Sequence, residues 1–246
     1  MQNGSIRLFR FAGIDVFLHF SWFIIAAYQL LSRPHGYQRP IWAIYEYLVL
    51  FGIVLMHEFG HALACRSTGG QANRIVLWPL GGIAFVRPPV RPGAELWSIA
   101  AGPLVNVLLV PVLAFLQFYG AQAGWQHAAP DAYRLIQMTS VINLILLVFN
   151  LLPIYPLDGG QILRALLWFP LGRIRSLKIA TVLGFVTIPL AILLVIWFGA
   201  EPIWMAILGF FLLSQAMAGW RHAKALQLEA EEARRMVSEE PKPPVL

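Results

Sequence analysis

Ile53-Val54-Leu55-Met56-His57-Glu58-Phe59-Gly60-His61 runs without a break from an apolar stretch into two histidines four residues apart. Residues at i and i+4 share one face of a helix, so both imidazoles can reach one tetrahedral metal ion. Glu58 follows the first histidine, where its carboxylate can take a proton from a water beside that ion. Hydrolysis needs water, and hydrocarbon excludes it. Ionisable residues inside an apolar span are costly and carry function by default. The stretch therefore predicts a hydrated metal site on a membrane helix.

The composition supports a membrane setting. Of 246 residues, 59% are hydrophobic and only 12% are charged. Soluble domains carry about 25% charged residues. A soluble chain this apolar could not cover its surface with polar groups. The net charge is +6, but the basic residues are scattered through short loops. They form no stripe or aromatic platform, so no nucleic-acid partner is expected. Cys65, the single cysteine, is read as a small packed residue, and the chain has no internal disulfide.

Six segments approach the roughly 20 apolar residues needed to cross a bilayer. They lie at about 15–32, 41–64, 94–119, 133–153, 177–198 and 201–219. The first lacks a small-residue cleavage site and is read as a retained helix. Only Gly199, Ala200 and Glu201 separate the last two, which predicts a tight helical hairpin. With the N-terminus inside, fifteen of the 18 Lys and Arg residues fall on the cytoplasmic side, and only Arg33, Arg39 and Arg134 fall opposite. That bias supports six spans with both termini cytoplasmic, in the inner or plasma membrane of a prokaryote-like cell. The expected fold class is an all-α polytopic membrane protein. Its core covers 1–220, and a charged helix and disordered tail cover 221–246.

Between the second and third spans, Ile75–Trp78 and Ile83–Val86 flank Pro79-Leu80-Gly81-Gly82. Two short β-prone runs around such a turn predict a membrane-associated hairpin. Its unpaired edges are tolerable at membrane depth only beside protein or a cavity, which places it next to the site. A free edge could add an extended peptide as a further strand. The bland alternative is an interfacial loop.

A zinc site needs a third protein ligand. Acidic residues inside the spans are scarce, and Asp158 is the best choice. It follows the fourth span in Asn150-Leu-Leu-Pro153-Ile-Tyr-Pro156-Leu-Asp158-Gly159-Gly160. Spans two and four run in the same direction, so Asp158 and the histidines share the cytoplasmic half. Pro153 and Pro156 exclude a regular helix there, and the glycines allow close backbone approach. Asn150 has two readings. Its amide could donate to an oxyanion, or it could tie up carbonyls of the broken helix.

With these elements in place, the chain resembles the site-2 proteases, a family of intramembrane zinc metalloproteases. The resemblance rests on His57-Glu58-Phe59-Gly60-His61, Pro79-Leu80-Gly81-Gly82, Ala101-Gly102-Pro103-Leu104-Val105-Asn106 and Asn150 to Gly159. These four elements stand in the family's order over 57–160, and with flanking spans the likeness reaches about 5–220. It implies one zinc ion held by His57, His61 and Asp158, with Glu58 as general base. It implies that Asn150 helps position or polarise the scissile carbonyl, and that Gly81 and Gly82 help present substrate. Gly102 and Pro103 are read as permitting close helix packing, with Asn106 hydrogen-bonding near the core. His19, after Gly13-Ile14, is read either as approaching or gating the site or as a packed histidine.

The implied partners are the transmembrane segment of a membrane-protein substrate and the lipid bilayer, and a homodimer is left open. The chain resembles a minimal form. The 120–132 loop leaves no room for a PDZ domain, and no paired cystathionine-synthase-type domains follow residue 220. The last two spans are the expected gate. A rival reading, a zinc-binding membrane transporter, leaves Glu58 and the hairpin unexplained. Another, an inactive relative that binds membrane proteins, sits poorly with a complete ligand and base set.

Overall fold

The computed structural model describes residues 4–32, 36–78, 81–197 and 202–239. The chain divides into two compact units, Met1–Leu151 and Leu152–Leu246. The first unit holds β1 (Ser5–Phe11), β2 (Ile14–His19), α1 (Ser21–Ser32), α2 (Ile41–Ser67), β3 (Gln71–Trp78), β4 (Gly81–Arg87), α3 (Pro92–Gln122), the short α4 (Trp125–Ala128) and α5 (Pro130–Leu151). The second holds α6 (Asp158–Leu171), α7 (Arg173–Trp197) and α8 (Pro202–Glu239).

The chain is mostly helical, but the all-α expectation needs correcting. The hairpin exists as β3 and β4, and it is half of a four-stranded sheet ordered β1-β2-β3-β4. Strands β1–β2 and β3–β4 pair antiparallel, while β2–β3 pair parallel. The first expected span, 15–32, accordingly splits into a strand and a twelve-residue helix. The reason is a period of two hidden in an apolar run: Ile14, Val16 and Leu18 are buried while Asp15 and Phe17 alternate outward. Ala12 (φ 49°) and Gly13 (φ 75°) form the two-residue turn that reverses β1 into β2. The Arg66 guanidinium donates to the carbonyls of both turn residues, which fastens the turn to the end of α2.

The core of this unit lies between the sheet and α2. Ile14, Val16, Leu18, Ile75 and Leu77 from the strands meet Val54, Ala62 and Cys65 from the helix. Gly69 (φ 85°) follows α2 in the left-handed conformation that turns the chain back toward β3. At the other end, the Asp131 carboxylate accepts the backbone N–H groups of Gln38 and Arg39 at 2.7 and 3.1 Å. This tie holds the starts of α2 and α5 together. Beside it the Tyr37 hydroxyl donates to Glu46 at 2.7 Å. Burial, and then that carboxylate, push the Tyr37 phenol above its ordinary value.

Among the described residues, α2, α3, α5 and α7 are long and apolar enough to cross a membrane. They match the expected second to fifth spans. Of the four, α2 is the most enclosed, with 44% of its apolar window buried against 33%, 11% and 22% for the others. The helix carrying the histidines is thus the one least suited to face lipid. The expected sixth span falls in the first half of α8, which continues unbroken to Glu239. The link 199–201, the hairpin tip Pro79-Leu80 and the tail 240–246 lie outside the described residues.

In the second unit α7 and α8 pack as a hairpin around Ile154, Ile188, Leu212 and Ala216. The Tyr155 ring fills a slot over Gly219, where an added Cβ would come 2.5 Å from the ring. Gly219→Ala is therefore expected to overpack the slot and cost about 1–3 kcal/mol. Thermal melting in detergent reads this loss. Tyr155→Ala should relieve it in the double variant, and strictly additive losses would contradict the contact.

Candidate metal centre

His57, Glu58 and His61 are all buried on α2. The one-turn spacing brings the two Nε2 atoms to 3.0 Å from each other, with the rings edge to face. The facing helix α3 supplies the partners that hold them. His61 Nδ1–H donates to the Ser98 carbonyl at 3.0 Å, and His57 Nδ1–H donates to Asn106 Oδ1 at 2.6 Å. Both acceptors are oxygens, so both rings carry their proton on Nδ1. Both Nε2 lone pairs then point into the same small space. Two lone pairs so close repel unless a cation stands between them, and bound metal ions meet histidine in this arrangement. The donor chemistry therefore fits a metal such as zinc.

Close approach of α2 and α3 depends on glycine. A Cβ on Gly60 would fall 2.5 Å from the Ala101 carbonyl oxygen, and one on Gly102 would fall 2.2 Å from His61 Nε2. Ser98, Gly102 and Asn106 recur every four residues and form one stripe of α3 opposite the histidines. The sequence reading gave Gly102 and Pro103 a packing task and Asn106 a place near the core. The structure puts Gly102 against His61 and Asn106 on His57. Pro103 lies inside α3 next to that stripe.

Glu58 reaches the sheet. Its Oε2 accepts the Ala84 N–H of β4 at 2.8 Å, and β4 is one of the two edge strands of the sheet, with β1 at the other edge. A Cβ on Gly82 would lie 2.2 Å from Glu58 Cγ. The hairpin thus cradles the carboxylate on a glycine that no other residue could replace without moving it. Gly81 pairs with Trp78 at the end of β4. Gly82→Ala is expected to lower turnover by about 10²-fold by displacing the carboxylate, with zinc content unchanged. Steady-state kinetics with metal analysis checks this, and unimpaired turnover would remove the cradle from the site.

The remaining expected residues fall as follows. His19 ends β2, stacks on Trp78 at 3.8 Å between ring centres and hydrogen-bonds Ser21. Asn150 is the penultimate residue of α5 and half-buried. In the second unit, Pro153 and Pro156 hold residues 152–157 out of helix, and Asp158 opens α6. Gly159 is buried beside it. A Cβ on Gly160 would strike the Ile154–Tyr155 backbone at 2.3 Å, so the glycine pair lets that turn fold tightly. By residue type, His57, His61 and Asp158 supply two imidazoles and a carboxylate, a set able to hold one metal ion.

The sequence reading missed two residues. Ser98 acts through its backbone carbonyl, which has no sequence signature. Asn143 is buried on α5. Its Oδ1 accepts Asn106 Nδ2–H at 2.8 Å, and its Nδ2–H donates to the Asn106 carbonyl at 3.0 Å. A signal for it existed, since an amide inside Val141-Ile-Asn143-Leu-Ile-Leu-Leu is an expensive residue in an apolar span.

The sequence model of Peptidase family M50 matches residues 45–129 and 121–196. A zinc metalloprotease of Methanocaldococcus jannaschii is 35% identical over 184 residues, covering 74% of this chain and 51% of that protein. Stage IV sporulation protein FB of Bacillus subtilis is 33% identical over 178 residues, covering 70% of this chain and 55% of that protein. This chain spans about half the length of those two relatives. Among solved structures, the site-2 protease from Methanocaldococcus jannaschii matches with a TM-score of 0.60 and 30% identity, covering 87% of this chain and 94% of that one.

Proposed function

Because this chain belongs to Peptidase family M50, the site-2 proteases, we propose that it is an intramembrane zinc endopeptidase cutting transmembrane segments of other membrane proteins. The observation that carries the reading is the paired histidines. Their Nε2 atoms converge at 3.0 Å with both Nδ1 protons given to oxygen acceptors, and Glu58 is adjacent in sequence. His57, His61 and Asp158 are the residues that would hold one zinc ion. Zinc, when bound, polarises the scissile carbonyl and acidifies water.

Glu58 accepts the proton of the attacking water and returns it to the leaving amine. No covalent enzyme intermediate is needed. A substrate helix must unwind before its carbonyl is accessible. Beyond the Ala84 N–H that Glu58 receives, the outer edge of β4 offers backbone groups on which an extended segment can be held as an added strand, with Gly81 and Gly82 helping to present it. Asn150 donates its amide to the carbonyl oxygen as charge builds there. It stands seven residues beyond Asn143 on α5, and so on the same helix face.

The same reading completes the membrane topology. Helices α2, α3, α5 and α7 cross the bilayer, the segment through α1 and the first half of α8 add two further passages, and both termini lie in the cytoplasm. Water enters from that side. The membrane-spanning substrate, the lipid and a single zinc are its partners.

The test uses purified full chain reconstituted with single-pass membrane proteins. Products whose new ends lie within a transmembrane segment are expected, lost on chelation and restored by zinc. New ends confined to soluble loops, or cleavage indifferent to chelation, would overturn the reading.

A further inference from the structure

We propose that Asn143 is a positioning residue for the metal centre, acting through Asn106 to keep the His57 proton on Nδ1. The inference rests on the zinc-site reading above and deepens it. A side-chain amide can present either its oxygen or its NH2 to a neighbour, and the two faces have nearly the same shape. If Asn106 turned its NH2 toward His57, Nδ1 would have to be the acceptor. The ring proton would then sit on Nε2, the atom needed by the metal. Something must therefore decide which way the Asn106 amide points.

Asn143 decides it. Its Nδ2–H donates to the Asn106 main-chain carbonyl at 3.0 Å. A backbone carbonyl can only accept, so this bond fixes the Asn143 amide with Oδ1 toward Asn106. Asn143 Oδ1 in turn accepts only a donor, and it receives Asn106 Nδ2–H at 2.8 Å. That leaves Asn106 Oδ1 for His57 Nδ1–H at 2.6 Å. Each orientation is dictated by the one before, and the chain begins at a group that cannot reverse. Asn106, Asn143 and His57 are 0%, 1% and 3% exposed, so water does not offer substitute partners. Buried networks of this kind specify one arrangement because every member is satisfied.

The experiment measures zinc affinity of the purified full-length protein by competition with a chromophoric chelator. Asn143→Leu removes the lock and is expected to weaken zinc binding about 10- to 100-fold, the usual effect of losing an outer-sphere partner. Asn106→Asp presents only oxygens, so its orientation cannot be wrong. The double variant Asn106→Asp/Asn143→Leu is therefore expected to bind zinc within about threefold of Asn106→Asp alone, far inside that range. A role in packing would leave the double variant as weak as Asn143→Leu, and that result overturns the proposal. Wild-type affinity in Asn143→Leu overturns it as well.

A second readout is the nitrogen NMR spectrum of histidine-labelled, metal-free protein. His57 should change from the Nδ1–H to the Nε2–H form in Asn143→Leu, and in Asn143→Ala if the leucine variant does not fold. An unchanged form counts against the proposal. A wild-type protein that takes up no zinc defeats the protease reading itself, an outcome distinct from a wild type that binds zinc and an Asn143 variant that binds equally well.

Discussion

Glu58→Gln is expected to lower cleavage by about 10²–10⁴-fold, the usual contribution of a general base, while leaving the bound zinc in place. That corresponds to roughly 3–5 kcal/mol of transition-state stabilisation. The amide keeps the size of the side chain, and its oxygen can still accept the Ala84 N–H that Glu58 Oε2 now receives at 2.8 Å. It cannot take a proton from water. Neither histidine contact with α3 involves Glu58, so metal content should be that of the wild type. The informative result is the combination of full zinc with lost cleavage. Co-expression with candidate single-pass proteins would then leave an intact partner only in the variant. Equal cleavage by both forms would remove Glu58 from the chemistry.

Gly102→Ala is expected to weaken zinc binding by at least about 10²-fold, beyond the range of most outer-sphere changes. The new methyl would start 2.2 Å from His61 Nε2 and 2.3 Å from Cε1. Real contacts stay beyond 3.0 Å, so the ring must move by most of an ångström. Metal sites tolerate deviations of only about 0.2 Å in ligand distance. The ring cannot retreat while its Nδ1–H holds the Ser98 carbonyl on the same helix. Zinc content by mass spectrometry, alongside circular dichroism to establish an intact helical fold, checks this. Retained zinc in a folded variant would mean that His61 does not lie against Gly102.

Parts of this arrangement were legible because they are local. Two histidines one helical turn apart must share a face whatever surrounds them. Pro153 and Pro156 must interrupt a helix because they lack the N–H that continues it. The β3–β4 hairpin was legible from two β-prone runs about a glycine pair. The second strand was not, because Ile14 to Leu18 merges into a longer apolar run, and hydropathy averaged over a window hides alternation. Its partner β3 is far along the chain, and parallel pairing leaves no turn signal between them. The same distance hid the tasks of Gly102 and Asn106. A small residue and an amide in an apolar helix suggest packing, and only a neighbour 41 or 49 positions away makes them supports for His61 and His57.

By itself the sequence determined which candidate ligands share a helix face, the membrane setting and the break before Asp158, since each follows from residue type and spacing within a few turns of chain. Only the tertiary structure decided which side of each histidine carries its proton. That choice depends on acceptors brought from another helix, on Gly60 and Gly102, which let the two helices meet, and on Asn143 fixing an amide that could otherwise turn either way.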